Sequence, residues 1–469
     1  MSVDSRFLNA MNTVLERELD GFQSIEECQQ LTAGASQETY RLRVKTDQGE
    51  NRYAFRRSPT SENGAPIPGQ VGLATEAKLL QLAEKAGIPV PGVVYLLEDS
   101  DELGSGFLMQ WLDGETLGQR IVRSEALAGI RPQLARQCGD VLARLHAIEI
   151  DETTAANLPT VTPEALVQET WDAYRVLDIP VPMIDFAARW LLENLPQNTR
   201  RTLVHGDFRN GNLMIDESGI VAVLDWELTQ IGDPVRDLGW LCVNSWRFGK
   251  DHLPVGGFGT IEDLLAGYEE TSGITVSEED LHFWQVFGSF WWSITTLNMA
   301  HTWRTGDTPS LERPVIGRRS SEAQMDCVNL LIPGDIALPG EVKLDQGTQL
   351  PMPAELLEGV RTFLTDEVAG GGDERFGFLA KVAANSLGIA QRELLYGPAL
   401  AAAEHTRLKA FFPEGSLDEL RWQLSRGLQG GLELNTAGLA EHLRLTVAGQ
   451  LSIDQPRYPA LQGNNLVSS

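Results

Sequence analysis

Residues 203–227 constrain this chain more than any other stretch, because they place polar side chains with catalytic chemistry between short apolar segments. The stretch opens with Leu-Val-His-Gly-Asp-Phe-Arg-Asn-Gly-Asn and closes with Val-Leu-Asp-Trp-Glu. Between them, the turn sequence Asp-Glu-Ser-Gly at 216–219 predicts a β-hairpin in which Ile215 lies opposite Ile220. Such a hairpin brings the end of the stretch back beside its beginning.

Pairing across this hairpin predicts which polar side chains meet. Counting back along the antiparallel ladder sets Asp225 beside residues 210–212, so we expect Asp225 and Asn212 to lie together. A carboxylate and an amide oxygen are hard ligands, of the kind that Mg²⁺ takes alongside nucleotide phosphates. Asp207 then remains as a candidate base that accepts a proton from an attacking hydroxyl. The stretch therefore predicts a phosphoryl-transfer site.

These residues resemble those of the aminoglycoside-phosphotransferase-type kinase superfamily, which shares the protein-kinase fold. The resemblance rests on His-Gly-Asp with an Asn five residues after the Asp, on Val-Leu-Asp-Trp-Glu, and on Gly-Asp-Pro followed by Asp237. More narrowly, residues 222–234 and 316–319 are similar to the kinase-like domains found fused to, or encoded beside, acyl-CoA dehydrogenases. The resemblance covers residues 20–332.

The resemblance implies an α+β, bilobal protein-kinase-like fold, with a small antiparallel β lobe and a large, mostly helical lobe, followed by an all-α domain. We expect a nucleotide-binding lobe over residues 1–109 and a catalytic and acceptor-binding lobe over residues 110–332. The Pro- and Gly-rich residues 333–352 are typical of a linker. Residues 353–456 resemble a helical accessory domain of unknown function, and residues 457–469 are expected to form a tail.

Apolar periodicity and aromatic content predict most of the helices. Apolar residues at helical spacing predict amphipathic helices over 6–20, 75–86 and 133–150. The aromatic-rich stretches 164–195 and 281–304 are also expected to be helical. Their aromatic side chains either pack in a core or line an acceptor pocket, and packing is the favoured interpretation.

The resemblance also implies nucleotide contacts in the N-terminal lobe. Gly34 and Ser36 belong to a small-residue turn, where backbone N–H groups can approach phosphates, although an ordinary hairpin tip has the same composition. Arg56 stands where this fold usually has a phosphate-binding Lys, and its guanidinium can clamp phosphate oxygens. Alternatively, Arg56 is a solvated strand residue. Glu76 is its expected ion-pair partner.

The hinge and the catalytic loop provide the remaining candidates. Backbone groups of Gln110 and Leu112, between the lobes, are expected to face the adenine of ATP. Asp237 resembles the family Asp that braces the catalytic loop through its backbone amides. Arg209, two residues after the candidate base, is a candidate for steadying a phosphate or an anionic substrate, and Glu227 either lies beside the metal or caps the next turn.

The net charge of the chain indicates which kinds of molecule it is expected to bind. There are 65 acidic and 38 basic residues, which give a formal net charge of −27 at pH 7. A surface of this sign repels polyanions, so we expect no nucleic acid and no anionic membrane as a partner. It favours cationic or metal-bound ligands instead.

No sequence feature predicts a membrane or secretory location. The N-terminus lacks a signal-peptide pattern, and no apolar run approaches the ~18 residues that a membrane span needs. The cysteines are widely spaced without a Cys-x-x-Cys motif, and we expect buried thiols rather than disulfides at Cys28, Cys138, Cys242 and Cys327. A cytoplasmic protein is therefore expected.

The function that these patterns predict is that of an ATP- and Mg²⁺-dependent O-phosphotransferase acting on a small-molecule hydroxyl. Motifs for hydride transfer, zinc hydrolysis and P-loop chemistry are absent from the sequence. The resemblance implies a hydroxyacyl-CoA or another lipophilic alcohol as the acceptor. Two alternatives stay open, namely an aminoglycoside phosphotransferase, which the acidic surface suits, and a catalytically silent nucleotide-binding scaffold, which Arg56 in place of Lys suits. A homodimer, or a partner bound through the C-terminal helices, is also considered.

Overall fold

The computed structural model describes residues 5–33, 37–58, 70–197, 199–306, 310–338, 351–371 and 373–462. Over these residues the fold is α+β, with an antiparallel sheet near the N-terminus and helices through most of the remainder, as predicted. The described residues divide into two compact units. The first unit draws on 1–162, 198–242 and 246–281, and the second on 163–197, 243–245 and 282–469. These units are not the predicted domains, whose boundaries stay a prediction.

The strands form one large sheet and two small pairs, all antiparallel. In chain order they are β1 (Phe22–Ala33), β2 (Glu38–Thr46), β3 (Gly49–Ser58), β4 (Val93–Leu96), β5 (Ser105–Gln110), β6 (Thr202–Val204), β7 (Leu213–Asp216), β8 (Gly219–Val223) and β9 (Gln230–Gly232). The five-stranded sheet has the order β1-β2-β3-β5-β4, while β6 pairs with β9 and β7 pairs with β8.

The helices are distributed over both units. In chain order they are α1 (Ser5–Glu18), α2 (Leu73–Lys85), α3 (Gly118–Ile121), α4 (Leu134–His146), α5 (Glu152–Ala155), α6 (Pro163–Arg175), α7 (Pro182–Glu193), α8 (Val235–Leu241), α9 (Ile261–Ser272), α10 (Glu278–Thr305), α11 (Glu312–Arg318), α12 (Ser320–Leu331), α13 (Pro353–Phe363), α14 (Glu374–Leu408), α15 (Leu417–Gln429), α16 (Leu439–Asp454) and α17 (Pro459–Gln462). None of these helices is both long and apolar enough to cross a membrane.

Helix α1 covers one face of the N-terminal sheet. Its predicted apolar stripe is buried against sheet residues that include Leu42 and Phe55, and consists of Phe7, Met11, Val14 and Leu15. Burying an apolar side chain of this size contributes about 1.5–3 kcal/mol. The stripe therefore anchors α1 to the sheet that carries Arg56.

Helices α4 and α9 approach each other closely in the first unit. A Cβ atom at Gly139 would lie 2.1 Å from the Leu264 carbonyl oxygen, and one at Gly267 would lie 2.1 Å from the Arg136 carbonyl oxygen. Only glycine permits this spacing at either position. The close contact sets the position of His146, at the end of α4.

The second unit joins α6 and α7 to the C-terminal helices through a buried carboxylate. Asp185 of α7 is fully buried and accepts hydrogen bonds from Trp171 Nε1 at 2.8 Å and Gln429 Nε2 at 2.9 Å, and from the Ser425 hydroxyl. Burial raises the pKa of Asp185, while these donors oppose that shift. The helical stretch predicted at 164–195 therefore packs with helices more than 200 residues further along the chain.

The aromatic residues of this unit are mostly core, as favoured from the sequence. Those buried in α6, α7 and the first half of α10 are Trp171, Tyr174, Phe186, Phe283, Trp284, Phe287 and Phe290. Trp303, near the end of α10, is 43% exposed.

The apolar stripe of α13 differs from a core stripe, because Leu356, Val360 and Phe363 are each more than half exposed.

The described cysteines are free thiols, as expected. Cys138, Cys242 and Cys327 are buried, and Cys28 is partly buried. Burial raises the pKa of the Cys28 thiol to about 11, and the nearby charge of Arg57 opposes the shift only in part. The Cys28 thiol is therefore protonated at neutral pH rather than a reactive thiolate.

Candidate active site

The loop after β6 has a backbone shape that requires glycine at its second position. Gly206 has φ +82°, and a Cβ atom there would lie 2.2 Å from the Leu228 carbonyl oxygen. An L-residue with a side chain would be strained at this φ and would clash as well. The glycine between His205 and Asp207 thus lets the loop pass close to residues 226–228.

Asp237, at the start of α8, holds this loop through its backbone. Its Oδ2 accepts the His205 N–H at 2.8 Å, and its Oδ1 accepts the Gly206 N–H at 2.9 Å. Burial alone would raise the pKa of Asp237, but the hydrogen bond from His146 Nε2 at 3.2 Å and the loop amides outweigh it and lower the pKa. Asp237 thus braces the loop through backbone amides, as predicted, and His146, which also contacts Tyr268, is structural.

Asp207 is fixed by three side chains. Its Oδ1 accepts hydrogen bonds from Trp240 Nε1 at 2.7 Å and from Arg209 Nε at 3.0 Å. Its Oδ2 accepts one from Asn212 Nδ2 at 2.6 Å. A carboxylate oxygen has two lone pairs, so Oδ1 is saturated by these donors while Oδ2 can accept one more hydrogen bond. The carboxylate therefore presents one defined oxygen to a further donor.

Trp240 was not anticipated as a site residue. It lies one helical turn after Asp237 on α8, so the helix that braces the loop also directs the indole N–H at Asp207. Arg209 is held in turn, because its guanidinium lies 4.4 Å from the centre of the Trp246 ring. The three-residue spacing of Asp237 and Trp240 on one helix was the signal available in the sequence.

Replacing Trp240 by Phe is expected to lower kcat about 10- to 100-fold and to leave the KM for ATP nearly unchanged. Phe keeps an aromatic ring but removes the donor to Asp207 Oδ1, and a hydrogen bond to a charged group contributes about 1.5–3 kcal/mol. Steady-state kinetics separate the two parameters. The same change at Trp422 of α15 is the control, and an equal loss there, or a rise in KM alone, would show that Trp240 does not position Asp207.

The hairpin has the predicted pairing at its turn end, but an irregularity between Met214 and Ile215 shifts the register by one residue, so that Leu213 pairs with Val223. Ile215 pairs with Ile220, Asp216 pairs with Gly219, and the Leu224 N–H donates to the Asn212 carbonyl oxygen at 2.8 Å. Asp225 thus directly follows Leu224, the residue whose N–H is bonded to Asn212. Its backbone is left-handed, with φ 64° and ψ 66°, a strained conformation for a non-glycine residue that is concentrated at functional sites.

Arg56 of β3 lies among three carboxylates. Its Nη1 is 2.7 Å from Glu76 Oε1, which is the predicted ion pair, and its Nη2 is 3.3 Å from Glu227 Oε2 and 3.7 Å from Asp225 Oδ1. The Gln37 Oε1 accepts from Nε and Nη2 of the same guanidinium at 3.0 and 2.7 Å. Arg56 is therefore a fixed residue of the site and not a solvated strand residue.

Glu227 belongs to this cluster rather than to a helix cap. Its Oε2 contacts Arg56, and its Oε1 accepts a hydrogen bond from Gln70 Nε2 at 3.0 Å. Its backbone carbonyl accepts the Val71 N–H at 2.8 Å. The segment just before α2 is thereby tied to the turn that follows Asp225.

One guanidinium does not neutralise three carboxylates, and the pKa values reflect this. Burial raises the pKa of Glu76 to about 7, although the charge of Arg56 opposes the shift and the charges of Asp225 and Glu227 add to it. Burial and the charge of Asp225 also raise the pKa of Glu227. The Oε2 atom of Glu76 is buried without a hydrogen-bond partner. The cluster thus carries excess negative charge, which a cation would relieve.

Glu76→Gln is expected to remove a pH dependence of stability. Because the pKa of Glu76 rises from 4.5 to about 7 on folding, its contribution is full below pH 4.5 and is lost as the pH rises through 7. In metal-free buffer, the variant should therefore gain about 3 kcal/mol relative to the wild type between pH 4.5 and pH 8. Urea unfolding across this range measures the difference.

The control for that experiment is Glu84→Gln, which changes an exposed residue on the same helix. Its stability relative to the wild type should stay constant over the range. A Glu76→Gln difference that is independent of pH would contradict the raised pKa.

The predicted nucleotide contacts are only partly within the described residues. Gly34 and Ser36 lie outside them. The Gln110 N–H donates to the Gly92 carbonyl at 2.9 Å, so Gln110 can offer an adenine only its carbonyl oxygen as a backbone partner. Leu112 follows two residues after the end of β5. Adenine recognition by Gln110 and Leu112 stays a prediction.

The donor set suits a cation that brings some of its own ligands. In the described part of the chain, no three His, Cys, Asp or Glu side chains are grouped to hold a metal by themselves. Mg²⁺ needs only one or two carboxylates when phosphates and water complete its shell. Asn212 uses its Nδ2 to bond Asp207, which turns its Oδ1 away from Asp207 and leaves that oxygen as a hard donor. With Asp225 beside it, the residues fit such an ion.

The chain matches two family models. The model described as "Phosphotransferase enzyme family" matches residues 27–274, more than half of the chain, and includes every candidate site residue. A domain of unknown function, DUF6285, matches residues 371–458.

Curated relatives contain the same region within longer proteins. The chain is 30% identical over 283 residues to acyl-CoA dehydrogenase family member 10 of Mus musculus, a match that covers 56% of this chain and 25% of that protein. It is 28% identical over 291 residues to acyl-CoA dehydrogenase family member 11 of Homo sapiens, which covers 59% of this chain and 34% of that protein. The chain thus spans only about a quarter to a third of these relatives.

A solved structure has a similar fold. It is a protein of Ralstonia eutropha JMP134 named as a candidate aminoglycoside phosphotransferase, with a TM-score of 0.53 and 22% sequence identity. The match covers 68% of this chain and 96% of that protein. At this identity the similarity concerns the fold alone.

Proposed function

Because the chain belongs to the phosphotransferase enzyme family, we propose that it transfers the γ-phosphoryl group of ATP to a hydroxyl group of a small molecule, with Mg²⁺ as cofactor. The environment of Asp207 supports this proposal most directly. Its Oδ1 is saturated by Trp240 and Arg209, and its Oδ2 keeps one lone pair beside Asn212. In this role Oδ2 accepts the hydrogen bond of the acceptor hydroxyl and then its proton.

The remaining residues of the cluster take electrostatic roles. Asn212 Oδ1 and Asp225 would hold Mg²⁺, which would neutralise the negative charge of the nucleotide phosphates. Arg56, oriented by Glu76, would face the phosphates of the nucleotide. An arginine in the place of the usual lysine stays charged at any working pH and can donate from two nitrogens, so the substitution is compatible with nucleotide binding.

Arg209 has a positioning role in this account. Its Nε bonds Asp207 and its guanidinium stacks on Trp246, so the side chain is held from two sides. The pair orients the carboxylate before substrate arrives, and an oriented base adds to the rate because less reorganisation remains. Its outer nitrogens could in addition meet an anionic acceptor.

For the acceptor we infer a hydroxyacyl-CoA or another lipophilic alcohol. The support is the similarity to proteins named as acyl-CoA dehydrogenase family members. Phosphorylation of a hydroxyacyl chain would convert a poor leaving group into a good one for a later elimination. The alternative hypothesis, that the acceptor is an aminoglycoside, is supported only by the acidic surface and the shared fold.

An acceptor panel tests this proposal. Hydroxyacyl-CoAs of several chain lengths and a set of aminoglycosides are incubated with the protein, ATP and Mg²⁺, and both ATP consumption and the mass of the product are recorded. We expect a phosphorylated hydroxyacyl-CoA, formed faster than any phosphorylated aminoglycoside. Faster phosphorylation of an aminoglycoside would overturn the acceptor class and leave the reaction type intact.

Thermal unfolding with ATP, with and without Mg²⁺, distinguishes the scaffold alternative. A kinase of the proposed kind should gain most of its nucleotide stabilisation only with the metal present. Stabilisation that ignored Mg²⁺, together with no turnover of any acceptor, would identify a nucleotide-binding scaffold.

A further inference from the structure

The second unit contains a cavity that the proposed reaction does not use. It has a volume of about 280 Å³ and lies among α14, α15, α16 and the start of α7. Much of its wall is apolar, as shown by Met183, Leu400, Leu443, Val447 and Ile453. An apolar cavity of about 150 Å³ already holds benzene, so this one has room for a ligand of roughly ten non-hydrogen atoms.

Some charged residues in the wall of the cavity form ion pairs with other described residues, and one does not. Arg421 forms a bidentate ion pair with Glu404, at 2.9 and 2.5 Å, and Glu404 is only 6% exposed. Glu393 is paired with Arg318. Within the part of the chain that the structure describes, Arg407 has no ion pair, and its Nη2 bonds only the Thr446 hydroxyl, at 3.2 Å.

Arg407 is therefore the charge in the wall that lacks a direct counter-ion. Its Nε is also buried without a hydrogen-bond partner. Burial lowers the pKa of Arg407, and Glu404 and Glu441 oppose that shift through space only. A partly buried guanidinium without a carboxylate in contact is costly unless an anion pairs with it.

His442 lies in the same wall, under the influence of two guanidinium groups. It is 2% exposed, and its Nδ1 is buried without a partner. Burial, together with the charges of Arg407 and Arg421, lowers the pKa of His442 to about 3. The imidazole is thus neutral, and the charges of Arg407 and Arg421 both lower its pKa.

We propose that this cavity binds a small monocarboxylate with an apolar body, with the carboxylate at Arg407 and the body among the aliphatic side chains of α14 and α16. The guanidinium fork matches the two oxygens of a carboxylate. One negative charge suits the wall better than two, because Glu404 and Glu393 also line it and would repel a dianion. The site would be a ligand-binding function of the helical accessory region, separate from the phosphotransfer site.

Calorimetric titration of the full chain tests this assignment with octanoate as the probe. Octan-1-ol serves as an uncharged ligand with the same body, and octyl phosphate as a dianionic one. We expect octanoate to bind at one site per chain, at least about tenfold more tightly than either analogue. Arg407→Met should weaken octanoate at least tenfold and leave octan-1-ol unchanged. Arg426→Gln, which alters an exposed arginine of α15 outside the cavity, should change neither.

Absence of octanoate binding, equal affinity for octan-1-ol, or an unchanged affinity in Arg407→Met would each overturn the assignment. Tighter binding of octyl phosphate would overturn the preference for a single charge. If thermal unfolding shows that Arg407→Met does not fold, Ala401→Leu replaces it as the test, because it fills the cavity without removing a charge. That variant should weaken octanoate and octan-1-ol together, and an unchanged octanoate affinity would place the ligand elsewhere.

Discussion

Asp207→Asn is expected to lower kcat by about 10²- to 10⁴-fold, the range that a positioned general base contributes. The amide cannot accept the proton of the acceptor hydroxyl. It also conflicts with its neighbours, since an NH₂ group would face either Asn212 Nδ2 or the Trp240 and Arg209 donors. ATP binding should change little, because Asp207 does not face the nucleotide in the proposed arrangement. Single-turnover kinetics and ATP titration separate the two effects.

Asp216→Asn is the matched control for this change. Asp216 lies at the hairpin turn, where its Oδ1 accepts the Ser218 N–H at 2.7 Å, and an asparagine oxygen can do the same. Its kcat should stay within about twofold of the wild type, since surface substitutions of this kind are usually near neutral. Full turnover by Asp207→Asn, with the acceptor that the wild type uses, would remove Asp207 as the base.

Asp225→Asn is expected to reduce kcat/KM for MgATP at least about a thousandfold. A metal ion that neutralises phosphate charge contributes several kcal/mol to the transition state, and each 1.36 kcal/mol is a factor of ten in rate. The variant should need more Mg²⁺ for half-maximal activity. It should still fold, because asparagine tolerates the left-handed backbone of Asp225 (φ 64°) as well as aspartate does.

Asp178→Asn is the control for Asp225, because Asp178 is an exposed aspartate that is also left-handed, with φ 50°. It separates the loss of a metal ligand from the effect of placing asparagine in this backbone conformation. An Asp225→Asn variant with wild-type activity at low Mg²⁺ would show that the metal is held by other residues.

Local sequence patterns correctly predicted those structural features that depend on a short stretch of the chain. The turn at residues 216–219 fixed the pairing of Ile215 with Ile220, whereas the shift of one residue between Met214 and Ile215, which brings Leu224 opposite Asn212, was not predicted. Helical spacing identified the four buried residues of α1. The ion pair between Arg56 and Glu76 followed from the family resemblance rather than from spacing.

The contacts that sequence reasoning missed depend on how distant elements pack. Trp240 reaches Asp207 from 33 residues away because α8 is placed against the loop, and its spacing from Asp237 indicates only that the two residues share a helix face. Asp185 and Ser425 meet across 240 residues for the same reason. Helical spacing alone also could not tell that the stripe of α13 stays exposed, since periodicity identifies an apolar face and not what covers it.

Transfer of labelled phosphate tests the central claim most directly. The protein is incubated with Mg²⁺, a hydroxyacyl-CoA and ATP that carries its label in the γ-phosphate, and the label on the acceptor is followed for the wild type, Asp207→Asn and Asp216→Asn. The account predicts label on the acceptor with the wild type and with Asp216→Asn, and almost none with Asp207→Asn. Equal label in all three proteins, or label that appears only in free phosphate, would contradict it.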